Sequence, residues 1–274
     1  MSDAESARSS GHVRRRIMRW RSGGFAEGED EIAEEQPVEL RYNEQPFAVM
    51  MATPADLEDF ALGFSMSEGL IATPAQLLEV DAQTLLEGVQ LNIRVDADAP
   101  AAQLGQTDRR LLPGRSGCGI CGTRQLENAL RAPGRVHARL HLRVAELERA
   151  LEDLQQRQPA NAATGAMHAA AWLRPGDPDM LVREDVGRHN ALDKLIGALC
   201  RAGLDPASGF VLITSRASYE MVTKAASVGI SALAAISAPT ALAIELARSA
   251  GMTLIGFARP GSCNVYCGGE RLQG

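Results

Sequence analysis

Two cysteines, Cys118 and Cys121, stand two residues apart in the stretch SGCGICG, Ser116 to Gly122, among three glycines. A thiolate is both a nucleophile and a soft metal ligand, so this spacing admits three chemistries. The first is a zinc knuckle, with Cys263 and Cys267 as a second pair completing a four-thiolate site. The second is a dithiol redox centre, which wants a strand leading directly into the pair and a long helix leaving it. Here the approach is LLPGRSG, a turn. The third is a sulfur carrier, whose thiolate must be nucleophilic, accessible and able to travel between donor and acceptor. Gly117, Gly119 and Gly122 give such a segment its mobility, and Arg115 and Arg124 favour the thiolate. A second thiol can attack a persulfide and release its sulfur. The residues alone leave all three open. Zinc deaminase chemistry has no support: that signature is His-x-Glu followed by Pro-Cys-x-x-Cys. None of His12, His137, His141, His168 or His189 has Glu two residues on, and Gly117 precedes Cys118.

A second group of chemistry-bearing residues lies in the carboxyl half. Strands FVLIT, ALAAIS and TLIGFA alternate with helices SYEMVTKAASVG and PTALAIELARSAG, which predicts right-handed crossovers and a mixed, largely parallel sheet with helices on both faces. Ligands of such sheets bind outside the carboxyl ends of the strands, beside helix N-termini. Those ends are Thr214-Ser215-Arg216, then Ser237-Ala238-Pro239-Thr240, then Phe257-Ala258-Arg259-Pro260-Gly261-Ser262. Ser215, Arg216, Thr240 and Arg259 suit a phosphate or pyrophosphate, although hydroxyl residues there also serve simply as helix caps. REDVGRHNALDK sets Asp185, Arg188, His189, Asn190 and Lys194 at a strand-to-helix junction. Arg188 and Lys194 can add charge for an anion; equally, the cluster can be a network that fixes the junction. Tyr219 and Lys224 lie on a helix, where they pack or are solvated.

The elements that must position these groups follow from pattern. Residues 1–35 carry a basic cluster, Arg14, Arg15, Arg16, Arg19 and Arg21, and then the acidic run EGEDEIAEE. Such charge blocks predict a flexible, solvated tail. From Gln36 a smaller α+β unit extends to residue 142. VELRYNEQPFAVMM gives two short strands around Asn43 and Glu44, and ATPADLEDFALGFSMSEGL a helix with Thr53 as N-cap, Pro54 at its first position and Gly69 at its close. VQLNIRV and VHARLHLRV alternate as half-buried strands do, and TRQLENALRA predicts a helix after the cysteine loop. Residues 143–274 form the second unit: helix AELERALEDLQQR, paired strands HAAAWL and DMLVRED around RPGDP, and helix RHNALDKLIGALCRAG, then the alternation above. Cys200 falls on the apolar side of its helix.

The totals bound the function. The chain has 274 residues, 45% hydrophobic and 23% charged, with a formal net charge of −6. That excludes a whole-protein basic field for nucleic acid and leaves anion binding to a local pocket. An odd count of five cysteines and no apolar leader at the amino terminus predict a reducing cytoplasm. The most apolar segment, GISALAAISAPTALAIELA, holds Pro239 and Glu245 and reads as strand, turn and helix, not as a membrane span.

Taken in order, MATPADLEDFALGF…EGLI, SGCGICG, REDVGRHNALDKLIG, SRASYEMVTKAA, ISAPTALAIELA and LIGFAR…N.Y resemble the FdhD family from about residue 36 to the end. The resemblance implies a sulfurtransferase needed for active formate dehydrogenase. It takes sulfur from a cysteine desulfurase and passes it to the molybdenum bis-guanine-dinucleotide cofactor, bound as substrate. It places the persulfide on Cys118 and Cys121, Cys118 first, and the cofactor on Phe257 to Ser262. It further implies a cytidine deaminase-like carboxyl-terminal domain without the zinc ligands, hence no permanently bound metal, and a cytoplasmic homodimer. Cys263 and Cys267 lie outside the resembling pattern.

Overall fold

The computed structural model describes residues 11–104, 134–137 and 140–274. Cys118, Cys121 and the helix expected after them lie outside the described residues. In the amino-terminal unit, β3 (Gln36–Tyr42) and β4 (Gln45–Ala52) form the expected hairpin. Its turn is made by Asn43 and Glu44, both at positive φ (44° and 70°), as a tight two-residue hairpin turn demands. β5 (Leu77–Thr84) and β6 (Val89–Val95) complete a sheet of order β4-β3-β6-β5, with β3 and β6 parallel. Every second residue faces one helix, α1 (Leu57–Ser67). Val38, Leu40, Tyr42, Leu91 and Ile93 are buried against its Phe60 and Phe64.

The carboxyl-terminal sheet has six strands. β8 (His168–Leu173) and β9 (Met180–Asp185) are the predicted pair; β10 (Phe210–Ile213), β11 (Ala232–Ala235) and β12 (Thr253–Arg259) are the predicted crossover strands. β13 (Ser262–Cys267) returns along β12. The order is β13-β12-β11-β10-β8-β9, and only β10, β11 and β12 are mutually parallel. The sheet is mixed, as expected, but it is parallel only among its three central strands and not for most of its width: β8–β9 at one edge and β12–β13 at the other pair antiparallel as hairpins, which need no crossover. Helices α4 (Arg188–Arg201), α5 (Tyr219–Ser227) and α6 (Ala241–Ala250) cover one face. α2 (Val144–Gln156) covers the other through Leu147, Leu151 and Leu154. VHARLHLRV forms only β7 (Leu142–Arg143) among its described residues, paired with β14 (Leu272–Gln273).

Residues 12–33 are not the expected tail. They form an antiparallel hairpin, β1 (His12–Arg21) and β2 (Gly24–Ala33). The charge blocks explain it: the register sets Arg14 opposite Glu31, Arg15 opposite Asp30 and Arg16 opposite Glu29, so a basic strand and an acidic strand neutralise each other. The short helix α3 (Pro159–Thr164) supports both strands.

Helices α1 and α4 join the two units. A side chain on Gly63 would overlap the Asp193 carbonyl, and one on Gly197 the Asp59 carbonyl, so glycine at both positions lets the backbones touch.

Candidate functional site

The carboxyl ends of β10, β11 and β12 share one edge of the sheet with the start of β8 and the end of β9. Hence His168 lies opposite Asp185, and Ala169 N–H donates to Thr214 Oγ1 at 2.9 Å. The loops after β10 and β11 are tied together: Ala217 bridges Pro239, and Thr240 N–H donates to the Ala217 carbonyl at 3.0 Å. Phe257 N–H donates to the Ser237 carbonyl at 3.1 Å. The three predicted strand ends therefore do form one rim.

The rim presents cations. Arg216 is exposed, while Ser215 is buried and its hydroxyl donates to the Arg216 carbonyl at 3.2 Å. Arg188 is half-buried, and its Nε is buried without a hydrogen-bond partner among the described residues. A buried donor left so costs about 1–3 kcal/mol unless a ligand accepts from it. Beside it His189 Nε2 lies 3.2 Å from Glu220 Oε2, which also accepts from Ser218 Oγ at 3.0 Å. Burial works against the Glu220 charge, but the bond from His189, with Ser218 and Arg188, holds its pKa below the ordinary value. His168 is pushed down, first by burial and then by Arg188. Burial and Glu220 push Tyr219 up to about 12, so it stays a phenol.

The remaining predicted rim residues are Thr240 and the Phe257–Ser262 segment. Thr240 is the N-cap of α6, accepting from Ala243 N–H at 3.3 Å. β12 continues to Arg259 and turns through Pro260 and Gly261 into β13, so Phe257 to Ser262 is a projecting β-turn. In it Arg259 and Ser262 are exposed, Ala258 is buried, and Gly261 N–H donates to Glu148 Oε1 at 3.0 Å. Phe257 has φ 50° and is 42% exposed, a strained conformation for a bulky residue.

Lys194 is the clear correction. It is fully buried, its Nζ 2.7 Å from Asp185 Oδ2 and donating to the Thr53 carbonyl at 2.9 Å. Asp185 also accepts from Thr53 N–H, Gly187 N–H and Asn190 Nδ2. Asn190 Nδ2 donates as well to the Met51 carbonyl at 2.8 Å. The REDVGRHNALDK cluster is thus mostly the network that fixes the junction, and only Arg188 and His189 face the rim chemistry. The same network corrects the expected start of α1. Thr53 is drawn to Asp185 and Val186, so Asp56, at φ 52°, precedes the first helical residue instead. Lys224 belongs to a second buried knot, bonded to both Asp193 oxygens (3.0 and 2.9 Å), Ser67 Oγ (3.0 Å) and Glu68 (2.6 Å). Burial disfavours its charge, but Asp193 and Glu68 outweigh this and raise its pKa above the ordinary lysine value.

The described cysteines are poor nucleophiles: burial pushes the thiols of Cys200, Cys263 and Cys267 up. Cys263 and Cys267 also cannot be one ligand pair. A bulge in the β12–β13 register, between Leu254 and Ile255, reverses the alternation, so Cys263 packs on the α2 face of the sheet and Cys267 on the opposite face. Among the described residues no three His, Cys, Asp or Glu side chains are grouped to hold a metal. A groove of about 1200 Å³ beneath the β1–β2 hairpin contains Arg183 and Arg201, but Asp59 pairs with both, and Asp56 and Glu58 with one each.

Sequence reasoning missed His168, Glu220 and the Ser67–Asp193–Lys224 knot. Ser67 and Asp193 are 126 residues apart and meet only where α1 crosses α4. His168 heads the otherwise apolar, buried strand β8 and gave no signal of its own.

Fold and rim define a two-unit mixed α/β protein with a cationic sheet edge and a Cys-x-x-Cys segment. The FdhD/NarQ family model matches residues 33–273. The sulfur carrier protein FdhD of Xanthomonas campestris pv. campestris strain B100 is 56% identical over 263 residues, 96% of this chain and 93% of that protein. That of Cupriavidus necator is 50% identical over 257 residues, 94% and 88% of the two chains. The chain belongs to the FdhD/NarQ family. A crystal structure from Desulfotalea psychrophila, presented as a candidate formate dehydrogenase accessory protein, superimposes with a TM-score of 0.73. It covers 96% of this chain and 99% of that one at 24% identity, a likeness of fold.

Proposed function

We propose that this chain is a sulfur carrier for formate dehydrogenase. One observation carries the reading: 50–56% identity, over nearly the whole chain, to proteins named as sulfur carriers, in a sequence that keeps Cys118-x-x-Cys121. The raised pKa values of the three described thiols support assigning the chemistry to Cys118 and Cys121.

Cys118 thiolate attacks the terminal sulfur of a persulfide on a cysteine desulfurase. A new S–S bond forms, and the donor cysteine leaves as thiolate. Cys121 thiolate then attacks Cys118 Sγ. The Cys118–Cys121 disulfide forms, and hydrosulfide leaves with the bonding pair for the molybdenum of the bis-guanine-dinucleotide cofactor, the substrate. A cellular dithiol reduces the disulfide and resets the pair. The rim fits a pyrophosphate-bearing substrate: Arg188 Nε lacks a partner among the described residues, Arg216 and Arg259 are exposed, and Ser215 and the Phe257–Ser262 turn lie on the same edge. The parallel core with helices on both faces supports a deaminase-like carboxyl-terminal domain that has no His-x-Glu zinc signature. The reading includes a cytoplasmic homodimer. Among the described residues no helix is long and apolar enough to cross a membrane.

Restoration of formate dehydrogenase activity in bacteria lacking their own sulfur carrier tests the reading. Wild type restores activity, and Cys118→Ala and Cys121→Ala do not. Restoration by the Cys118→Ala, Cys121→Ala double variant contradicts it. The zinc-module alternative is disfavoured by the opposed faces of Cys263 and Cys267.

A further inference from the structure

Building on the reading of the rim as the substrate's seat, we infer that His168 is its proton-linked ligand. With Arg188 it takes the pyrophosphate of a nucleotide diester, and its imidazole picks up a proton from solvent as the anion binds. Alternation along β8 places His168 with Ala170 and Trp172, on the side of the sheet covered by α4, α5 and α6. There it stands opposite Asp185 at the end of β9. It is also close enough to Arg188, the first residue of α4, for that guanidinium to oppose its protonation.

Hydrogen-bond supply and demand at this edge call for an anion. Asp185 is the carboxylate nearest in register, yet it is saturated. Its Oδ1 accepts from Gly187 N–H at 2.7 Å and Asn190 Nδ2 at 3.0 Å. Its Oδ2 accepts from Thr53 N–H at 3.0 Å and faces Lys194 Nζ at 2.7 Å. Glu220 on α5 is taken by His189 and Ser218. The unmet demand is on the donor side. Arg188 Nε is buried without a partner, and the half-buried His168 ring makes no hydrogen bond among the described residues. Two neighbouring cationic donors repel unless an anion lies between them, and a phosphate oxygen accepts from both. The charged groups packed about His168 are Asp185 on β9, already neutralised by Lys194, and Arg188 and His189 on α4, with Glu220 beyond His189. Burial and Arg188 oppose a charge on the imidazole. A bound diester adds negative charge beside the ring and reverses that balance, so binding draws in a proton and strengthens as the pH falls.

The test is binding of GDP-mannose to the full chain, measured by isothermal titration calorimetry in phosphate-free buffers of differing ionisation enthalpy. The pyrophosphate of this probe is a diester and keeps its charge across neutral pH, so a pH dependence belongs to the protein. Wild type is expected to bind at least about three-fold more tightly at about pH 6 than at about pH 8, with net proton uptake. His168→Asn should bind alike at both pH values and take up no proton, and Arg188→Gln should weaken binding about ten-fold at both. Followed by NMR in wild type, the His168 ring should titrate at higher pH with the probe than without it. Wild-type binding that is equal at both pH values, or a His168 midpoint that the probe does not move, overturns the inference and leaves the rim as a substrate site. So does proton uptake that survives in His168→Asn. No binding at either pH overturns the inference and the rim assignment together, while sulfur loading of Cys118 and Cys121 decides the carrier reading separately.

Discussion

Lys224 bears on whether the two units behave as one body. Its ammonium is the hub of a buried knot, with Asp193 on α4 and Ser67 and Glu68 at the end of α1. Lys224→Met leaves Asp193 as an uncompensated buried charge and is expected to cost about 3–5 kcal/mol, read by denaturant unfolding. Adding Asp193→Leu removes that charge and should restore much of the loss; no recovery would show that the knot is not one unit. His168 makes a second residue-scale prediction. Its folded pKa is lowered from 6.5 by burial and Arg188, so the unfolded chain binds the proton more readily. Its contribution to stability is complete above 6.5 and is lost as the pH falls below that value toward the folded pKa. Melting temperature should therefore drop from about pH 7 to pH 5.5 more steeply in wild type than in His168→Asn. Cys118, Cys121, Arg188 and the Phe257–Ser262 segment stood out in the sequence by type and position. Lys194 did too, yet its role was hidden, because only the fold brings Asp185 and Thr53 around it.

At the scale of elements, the α1–α4 crossing is the feature most sensitive to a single methyl group. Gly63→Ala or Gly197→Ala drives a side chain into a carbonyl of the facing helix. Each should cost about 1–3 kcal/mol or more, measured by thermal unfolding, because packed backbones relax little. Gly134→Ala, where a Cβ meets nothing, should be neutral by the same assay. Period alone disclosed the crossover strands and α4, α5 and α6, whose apolar spacing is regular. It did not disclose β1 and β2, whose alternation is of charges. It also missed β5, an edge strand exposed along most of its length, and β13, which begins at Ser262, the last residue of the segment the resemblance assigned to the cofactor. The cap of α1 was misread because a tertiary bond to Asp185 outcompeted local capping by Thr53.

At the scale of the molecule, two units are locked by buried ion pairs and two glycines, a rim of cations lines one sheet edge, and a charged arm projects from the body. The proposed function asks such a frame to hold a dinucleotide substrate and assigns sulfur delivery to Cys118 and Cys121. The most direct test of that account is intact-protein mass spectrometry after incubation with a cysteine desulfurase and cysteine. It compares wild type with Cys118→Ala, Cys121→Ala and Cys263→Ala/Cys267→Ala. The account predicts an added sulfur on wild type and on Cys263→Ala/Cys267→Ala, removable by reductant, and lost or reduced in the two single variants. A folded wild-type protein that takes up no sulfur, or an adduct that persists undiminished without Cys118 and without Cys121, would contradict it.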